Sequence, residues 1–408
     1  MKRISQYFGN FFGVNMNYLI GGGFWLGLDQ IFSAGTSMVL TVAFANLISQ
    51  EAYGTYRYIL SIFGILTIAT LPNMNIAVLT SVARGFENLS KALKSRIEWG
   101  FIGTIAGFSL AGFYFYQGNN LLGYAFIIMA VFLPFTDSFN VFLAFFRGRK
   151  LFREQTLYSI IIKSVSAAAL IATLFLTENL LIILLAFFIP YVLSRVFLYW
   201  LAVKKFSPNN EVDPNTISYG KNLSLLQFLG FVVNYLDNLL IFYYLGPISL
   251  AIYTMAMAPI SKFQKAFSIL PDLALPKFSE RPAEEIKKYL IKRIFKLFIF
   301  IIPIVAVYIL IAPMIFDFFL PKYHDSIFYT QLLSLVFLCL PFSLIYTFMQ
   351  SKAMQKQLYI YNISIRIIQL ILTVIFVGLY GVMGAVIARL IFQLAATSIL
   401  FVIFKAVK

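Results

Sequence analysis

Residues 121–176 read LLGYAFIIMAVFLPFTDSFNVFLAFFRGRKLFREQTLYSIIIKSVSAAALIATLFL, and this stretch decides the fold. Two apolar runs, about 121–146 and 155–176, flank a basic break that holds Arg147, Arg149, Lys150 and Arg153. Each run has the roughly 20 apolar residues a helix needs to cross a bilayer. Runs this long and continuous exclude an outer-membrane barrel, whose strands alternate in segments of about ten residues. Outward from this hairpin the same pattern predicts spans at 19–47, 55–82, 99–116, 180–203, 222–244, 249–270, 297–316, 326–350, 358–379 and 382–404. With the first two, that makes about twelve. The polar breaks Gln117-Gly118-Asn119-Asn120 and Thr177-Glu178-Asn179 divide the longest stretches.

Composition agrees. The 408 residues are 61% apolar with 45 Phe, and 12% are charged, about half the share of a soluble protein. Mean hydropathy is +0.85. The chain reads as an all-α, polytopic integral membrane protein. The single Cys339 excludes an intramolecular disulfide framework and a cysteine-based metal cluster, and the single His324, an exposed loop residue, argues against a histidine-rich one. Neither metal nor cofactor is expected. No small-residue cleavage site follows a short apolar segment, so the first span is expected to be retained.

Lysine and arginine set the orientation. Of 32 such residues, 24 fall at the termini and in the even-numbered loops, from Lys2 and Arg3 to Lys405 and Lys408, whereas the odd loops hold only Lys322. Both termini are therefore expected in the cytoplasm. The net charge of +16 is mostly this bias, so nucleic acid is not an expected partner. The longest internal loop, about 271–296, reads as a solvated amphipathic connector.

The polar residues contain a repeat. Sliding the chain by 197 places Gln30 on Gln227, Ser37 on Asn234, Thr41 on Asn238 and Tyr56 on Tyr253. Sliding by 203 places Tyr158 on Tyr361 and Ser159, Lys163, Ser166 on Asn362, Arg366, Gln369. Each series follows one helical stripe. Six spans per half make the repeat parallel, with a lobe at 1–205, a cytoplasmic linker at 206–221 and a second lobe at 222–408. Two such bundles suggest a transporter with its substrate site between the halves.

Seven cations fall inside the spans: Arg57, Lys163, Arg195, Lys262, Lys265, Arg366 and Arg389. Asp29, Asp137 and Asp237 join them. Each charge at mid-bilayer costs about 2.5–3.5 kcal/mol, so most must snorkel, pair or line a wet cavity. Arg57 and Lys265 lie near span ends, where they either snorkel or face a lumen. Reflection across the hairpin near residue 150 puts Asp137 level with Lys163, so Lys163 is either half of a structural pair or a further cation of the lumen. Reflecting Arg366 across the 351–357 turn finds Pro341 and Phe342 and no acid. Arg366 and Lys262 are thus expected in an aqueous, cationic lumen, with Arg195 and Arg389 divided between lumen and pairing. Asp29 and Asp237 read either as charge balance or as coupling carboxylates. With seven cations against three acids, the cavity would attract anions. No P-loop motif is present, and the outer loops are too short for a catalytic domain, so an enzyme is not expected.

Several segments resemble the Wzx-type flippases of O-antigen and related oligosaccharide repeat units, within the multidrug/oligosaccharidyl-lipid/polysaccharide exporter superfamily. They are Glu51-Ala52-Tyr53-Gly54-Thr55-Tyr56 after span 1, Phe146 to Phe152 before span 5, and Asp237 with Leu250-Ala251-Ile252-Tyr253. Leu273-Ala274-Leu275-Pro276-Lys277-Phe278-Ser279 after span 8 and Gly381-Val382-Met383-Gly384-Ala385 before the last span complete the set. The resemblance implies a MATE-like fold of two six-helix lobes in a bacterial inner membrane. It implies an undecaprenyl-diphosphate-linked oligosaccharide as substrate, carried to the periplasmic leaflet, with polymerase and chain-length proteins as partners beside the membrane lipids. A diphosphate suits a lumen of Arg and Lys. The alternatives are a polysaccharide polymerase or ligase, which would want a sizeable outer loop, a drug exporter, which would want an acidic lumen, and a lipid II flippase, which would want about fourteen spans.

Overall fold

The computed structural model describes residues 16–209 and 211–406, which are helical almost throughout, with no strand among them. Lys2, Arg3 and Lys408 lie outside the described residues. The chain divides into two compact units. One is the chain up to Leu47 with Ile62–Phe231, and the other is Ile48–Ser61 with the chain from Val232 onward.

The first unit contains α1 (Met16–Leu47), the end of α2 (Gln50–Leu66), α3 (Met74–Ala83), α4 (Leu89–Tyr116), α5 (Asn120–Thr136), α6 (Val141–Gly148), α7 (Phe152–Leu176), α8 (Leu180–Phe206) and α9 (Asn215–Leu226). The predicted span 55–82 is broken. Its two parts bend by 42° at Leu71-Pro72, where Leu71 takes φ 52° and Pro72 has no N–H to continue the ladder. α4 and α5 pack as a hairpin because Gly100, Gly103 and Gly107 let the backbones close on Pro134, Leu133 and Ala130. Thr104 Oγ1 donates to Ala130 O at 2.9 Å across the same seam. Asn119 and Asn179 accept from Leu122 N–H and Leu181 N–H, each at 3.0 Å, which caps α5 and α8 where the polar breaks were read.

The second unit contains the start of α2, α10 (Phe228–Phe267, from Val232), α11 (Ile269–Glu280), α12 (Ala283–Phe319), α13 (Ser326–Ser334), α14 (Ser343–Ser351) and α15 (Gln355–Ala406). Two of these helices double back. In α10 the Tyr253 hydroxyl donates to Asp237 Oδ2 at 2.7 Å, whereas 16 residues of straight helix would separate them by about 24 Å. The reversal is at Gly246, with φ 81°, a conformation glycine adopts without a Cβ penalty. In α15 a Cβ on Gly384 would lie 1.7 Å from Phe376 O, so the chain turns back at Gly381, φ 58°.

By continuity there are up to nine apolar segments able to cross a membrane. Two of them are hairpins, and α4 supplies a further crossing that its basic first turns disguise. Among the described residues this gives the twelve expected. Large apolar side chains such as Ile31, Leu176, Leu310 and Phe318 stand exposed on helix surfaces, as lipid contact requires.

Two expectations about connections fail. Glu51 to Tyr56 do not form the turn after span 1, since they lie inside α2. Gly54 is there because Pro247 O would sit 1.8 Å from a Cβ. The 271–296 connector is also not a loop. α11 runs to Glu280 and α12 starts at Ala283, and Ile286, Leu290 and Ile294 are fully buried in a core with Phe278, Ile345, Phe348 and Phe404.

Candidate functional site

In the first unit, α1 and α7 bring together the two ends of a charge pair. Lys163 Nζ donates to Asp29 Oδ1 and to Ser33 Oγ, both at 2.6 Å. This corrects the expected pairing of Lys163 with Asp137. The hairpin reflection assumed that α7 faces its sequence neighbour, but α7 packs its polar stripe against α1. Asp137 instead accepts from Arg195 Nη1 at 2.8 Å. The guanidinium also bonds to Thr136 O and the Tyr191 hydroxyl and lies 3.7 Å from the Tyr191 ring centroid. Thr136 O is available because α5 ends there and leaves its last carbonyls without helical partners. Arg195 is almost fully buried and neutralised.

A cavity of about 230 Å³ opens beside Asp29, lined by Asn75, Asn140, Arg147, Gln155 and Ser159 among others. Arg147 Nε donates to Gln155 at 3.1 Å. Arg96, one of the 24 cations counted to the termini and even-numbered loops, lies inside α4 and is completely buried. It donates to Thr70 O at 2.9 Å and Asn75 Oδ1 at 2.7 Å. Its membership of a basic cluster hid it, and its position four residues before the apolar run from residue 100 was the available signal.

The second unit handles its cations differently. Arg389 Nη1 meets Asp237 Oδ2 at 3.2 Å, and the same oxygen receives the Tyr253 hydroxyl. Arg366, on the equivalent stripe to Lys163, reaches no carboxylate. It donates to Asn234 Oδ1 at 3.2 Å and Gln369 Oε1 at 3.3 Å, and it is half-buried. Neighbouring Asn362 donates to the Tyr346 hydroxyl at 3.2 Å. Arg57, on α2, is half-buried with its Nε buried and without a hydrogen-bond partner. Lys262 lies on α10 within the field of Lys265 and Arg57, so three cations are gathered in this part of the unit.

Five of the seven intramembrane cations therefore divide into two sets. Lys163, Arg195 and Arg389 are matched by Asp29, Asp137 and Asp237. Arg366 and Arg57 have no acid within ion-pair distance among the described residues. Such a set can hold an anion by charge-assisted hydrogen bonds, with the planar guanidinium of Arg366 suited to phosphate oxygens.

Comparison with known proteins agrees with this architecture. The family of polysaccharide biosynthesis proteins matches residues 19–280. None of the curated proteins compared matches the chain. Among solved structures, the lipid II flippase MurJ in an inward closed conformation is similar with TM-score 0.70 and 17% identity, over 95% of this chain and 88% of that one. An inward-facing multidrug resistance MATE family transporter of the MOP superfamily gives TM-score 0.59 and 15% identity, over 92% and 94%. A MOP superfamily transporter from Pyrococcus furiosus, described as having a binding pocket of reverse polarity, gives 0.54 and 17%, over 94% and 96%. The chain is a multi-pass membrane protein with the MATE- and MurJ-like fold, and it belongs to the family of polysaccharide biosynthesis proteins.

Proposed function

We propose that the protein is a flippase that carries an undecaprenyl-diphosphate-linked oligosaccharide from the cytoplasmic to the periplasmic leaflet of a bacterial inner membrane by alternating access. The observation that carries this reading is the uneven neutralisation of intramembrane cations, with Arg366 and Arg57 making no ion pair with an acid among the described residues. Holding such charges in a membrane is costly, and an anionic headgroup offsets that cost. Arg366, Arg57 and Lys262 would bind the diphosphate. Lys163, Arg195 and Arg389 would shape the two units, with Asp29, Asp137 and Asp237 as their counter-ions rather than as coupling groups. The sugar chemistry is supported by membership of the family of polysaccharide biosynthesis proteins.

The drive can be sized. Moving one charge across the membrane is worth about 2.3 kcal/mol per 100 mV, so a headgroup with about two negative charges gains roughly 4–5 kcal/mol per 100 mV on moving outward. With both termini in the cytoplasm, an inside-negative potential favours export. The test is deletion in the native host followed by leaflet-resolved analysis of lipid-linked sugars. Intact units accumulating on the cytoplasmic leaflet are expected. Normal flipping with failure to elongate chains outside would overturn the reading in favour of a polymerase.

A further inference from the structure

α12 is about 55 Å long over its 37 residues, yet a bilayer's hydrocarbon core is only about 30 Å thick. Its first turns, Ala283 to Lys296, precede the uncharged run 297–316 and so cross the headgroup region. One face of these turns is fixed by Ile286, Leu290 and Ile294, fully buried in the core of the second unit. Lys288, Lys292 and Lys296 follow the same four-residue spacing on the nearly opposite face, and all three are exposed. Phe295 and Ile299, also exposed, lie on that same face. The lysine row therefore runs directly into the lipid-facing apolar row of the same helix.

Among the described residues no ion pair within 4 Å closes on the row, Glu284 one turn before Lys288 included. Glu285 is engaged by Arg281 at 2.7 Å, and Arg293 stacks 4.3 Å from the Tyr289 ring. Three like charges one turn apart repel one another. A general excess of cations on this side explains why lysines are present, but not why they share one outward face in line with the lipid contact. We propose that Lys288, Lys292 and Lys296 form a binding site for anionic phospholipid headgroups of the leaflet through which α12 emerges. The phosphate oxygens would sit between successive ammonium groups, with the acyl chains along Phe295 and Ile299.

Native mass spectrometry of the full-length protein in neutral detergent tests this, with phosphatidylglycerol and phosphatidylcholine titrated separately. Tighter binding of phosphatidylglycerol is expected, weakening roughly fivefold for each lysine changed to glutamine. The variants are K292Q and the triple K288Q/K292Q/K296Q, with K292R as the charge-conserving control that keeps wild-type affinity. An unchanged melting temperature in phosphatidylcholine certifies the fold of each variant, and K292Q alone decides should the triple not fold. Equal affinity of the wild type for the two lipids, or full phosphatidylglycerol preference in the certified variants, overturns the proposal. Neither result bears on sugar transport, which Arg366 variants test separately.

Discussion

Lys163 and Arg366 occupy equivalent places in the two units, each on a stripe with spacing i, i+4, i+7, and each reaches a helix equivalent to the other's partner. Lys163 reaches α1 and finds the Asp29 carboxylate at 2.6 Å. Arg366 reaches α10 and finds only the Asn234 amide oxygen at 3.2 Å. The repeat has kept the cation and the helix it reaches, but the position that matches Asp29 is Leu226, and Arg366 meets instead the amide of Asn234, which matches Ser37. One unit closes its charge internally, and the other presents it. That difference separates a structural ion pair from a site able to receive an anion, although the two cations look alike in the sequence.

The largest effect should come from breaking a closed pair. Asp137→Asn leaves the buried Arg195 guanidinium without its carboxylate and should cost about 3–5 kcal/mol, seen as a lower melting temperature and poor yield of the purified protein. Arg366→Gln should leave the melting temperature near that of the wild type. It should weaken binding of a diphosphate headgroup about 10- to 100-fold, the loss of one charge-assisted hydrogen-bonding group worth about 1.5–3 kcal/mol. Asn234→Asp tests the comparison from the other side. It would give Arg366 a carboxylate within reach, as Asp29 serves Lys163, neutralising Arg366 and reducing headgroup binding about tenfold while keeping or raising stability. The smallest effect is expected for Tyr253→Phe, which removes one donor from Asp237 while Arg389 remains, at a cost of about 1 kcal/mol in thermal unfolding.

The spans were legible because hydropathy acts on each segment separately. Residues 155–176 must be a helix whatever they pack against, and the turns at Gly118, Gly246 and Gly381 follow from apolar runs too long for one crossing. The repeat was legible in its polar stripes, which placed Lys163 and Arg366 in equivalent positions. The surroundings of Arg366 were not, since reflection across the 351–357 turn named Pro341 and Phe342, whereas the guanidinium meets Asn234 and Gln369. Pairing was not legible, because it depends on which helix lies beside which. Asp29 and Lys163 are 134 residues apart, and reflection about the nearer turn favoured Asp137. A better signal was present: Asp29 and Ser33 stand one turn apart on α1 and match the polar face of α7. The irregular ends of helices were hidden for a related reason. Thr136 O becomes a ligand for Arg195 only because α5 ends there, and Arg96 is buried only because α3 and its preceding turn fold back over α4.

The central claim is that the cation left open in the second unit, and not its matched counterpart in the first, binds the anionic headgroup. Binding of undecaprenyl diphosphate to the purified full-length protein, followed by native mass spectrometry, tests it most directly. The comparison is between wild type, Arg366→Gln, and the charge-balanced double variant Asp29→Asn with Lys163→Gln. The account predicts that the double variant binds as the wild type does and that Arg366→Gln binds at least tenfold more weakly. Wild-type binding by Arg366→Gln, together with loss of binding in the double variant, would contradict it.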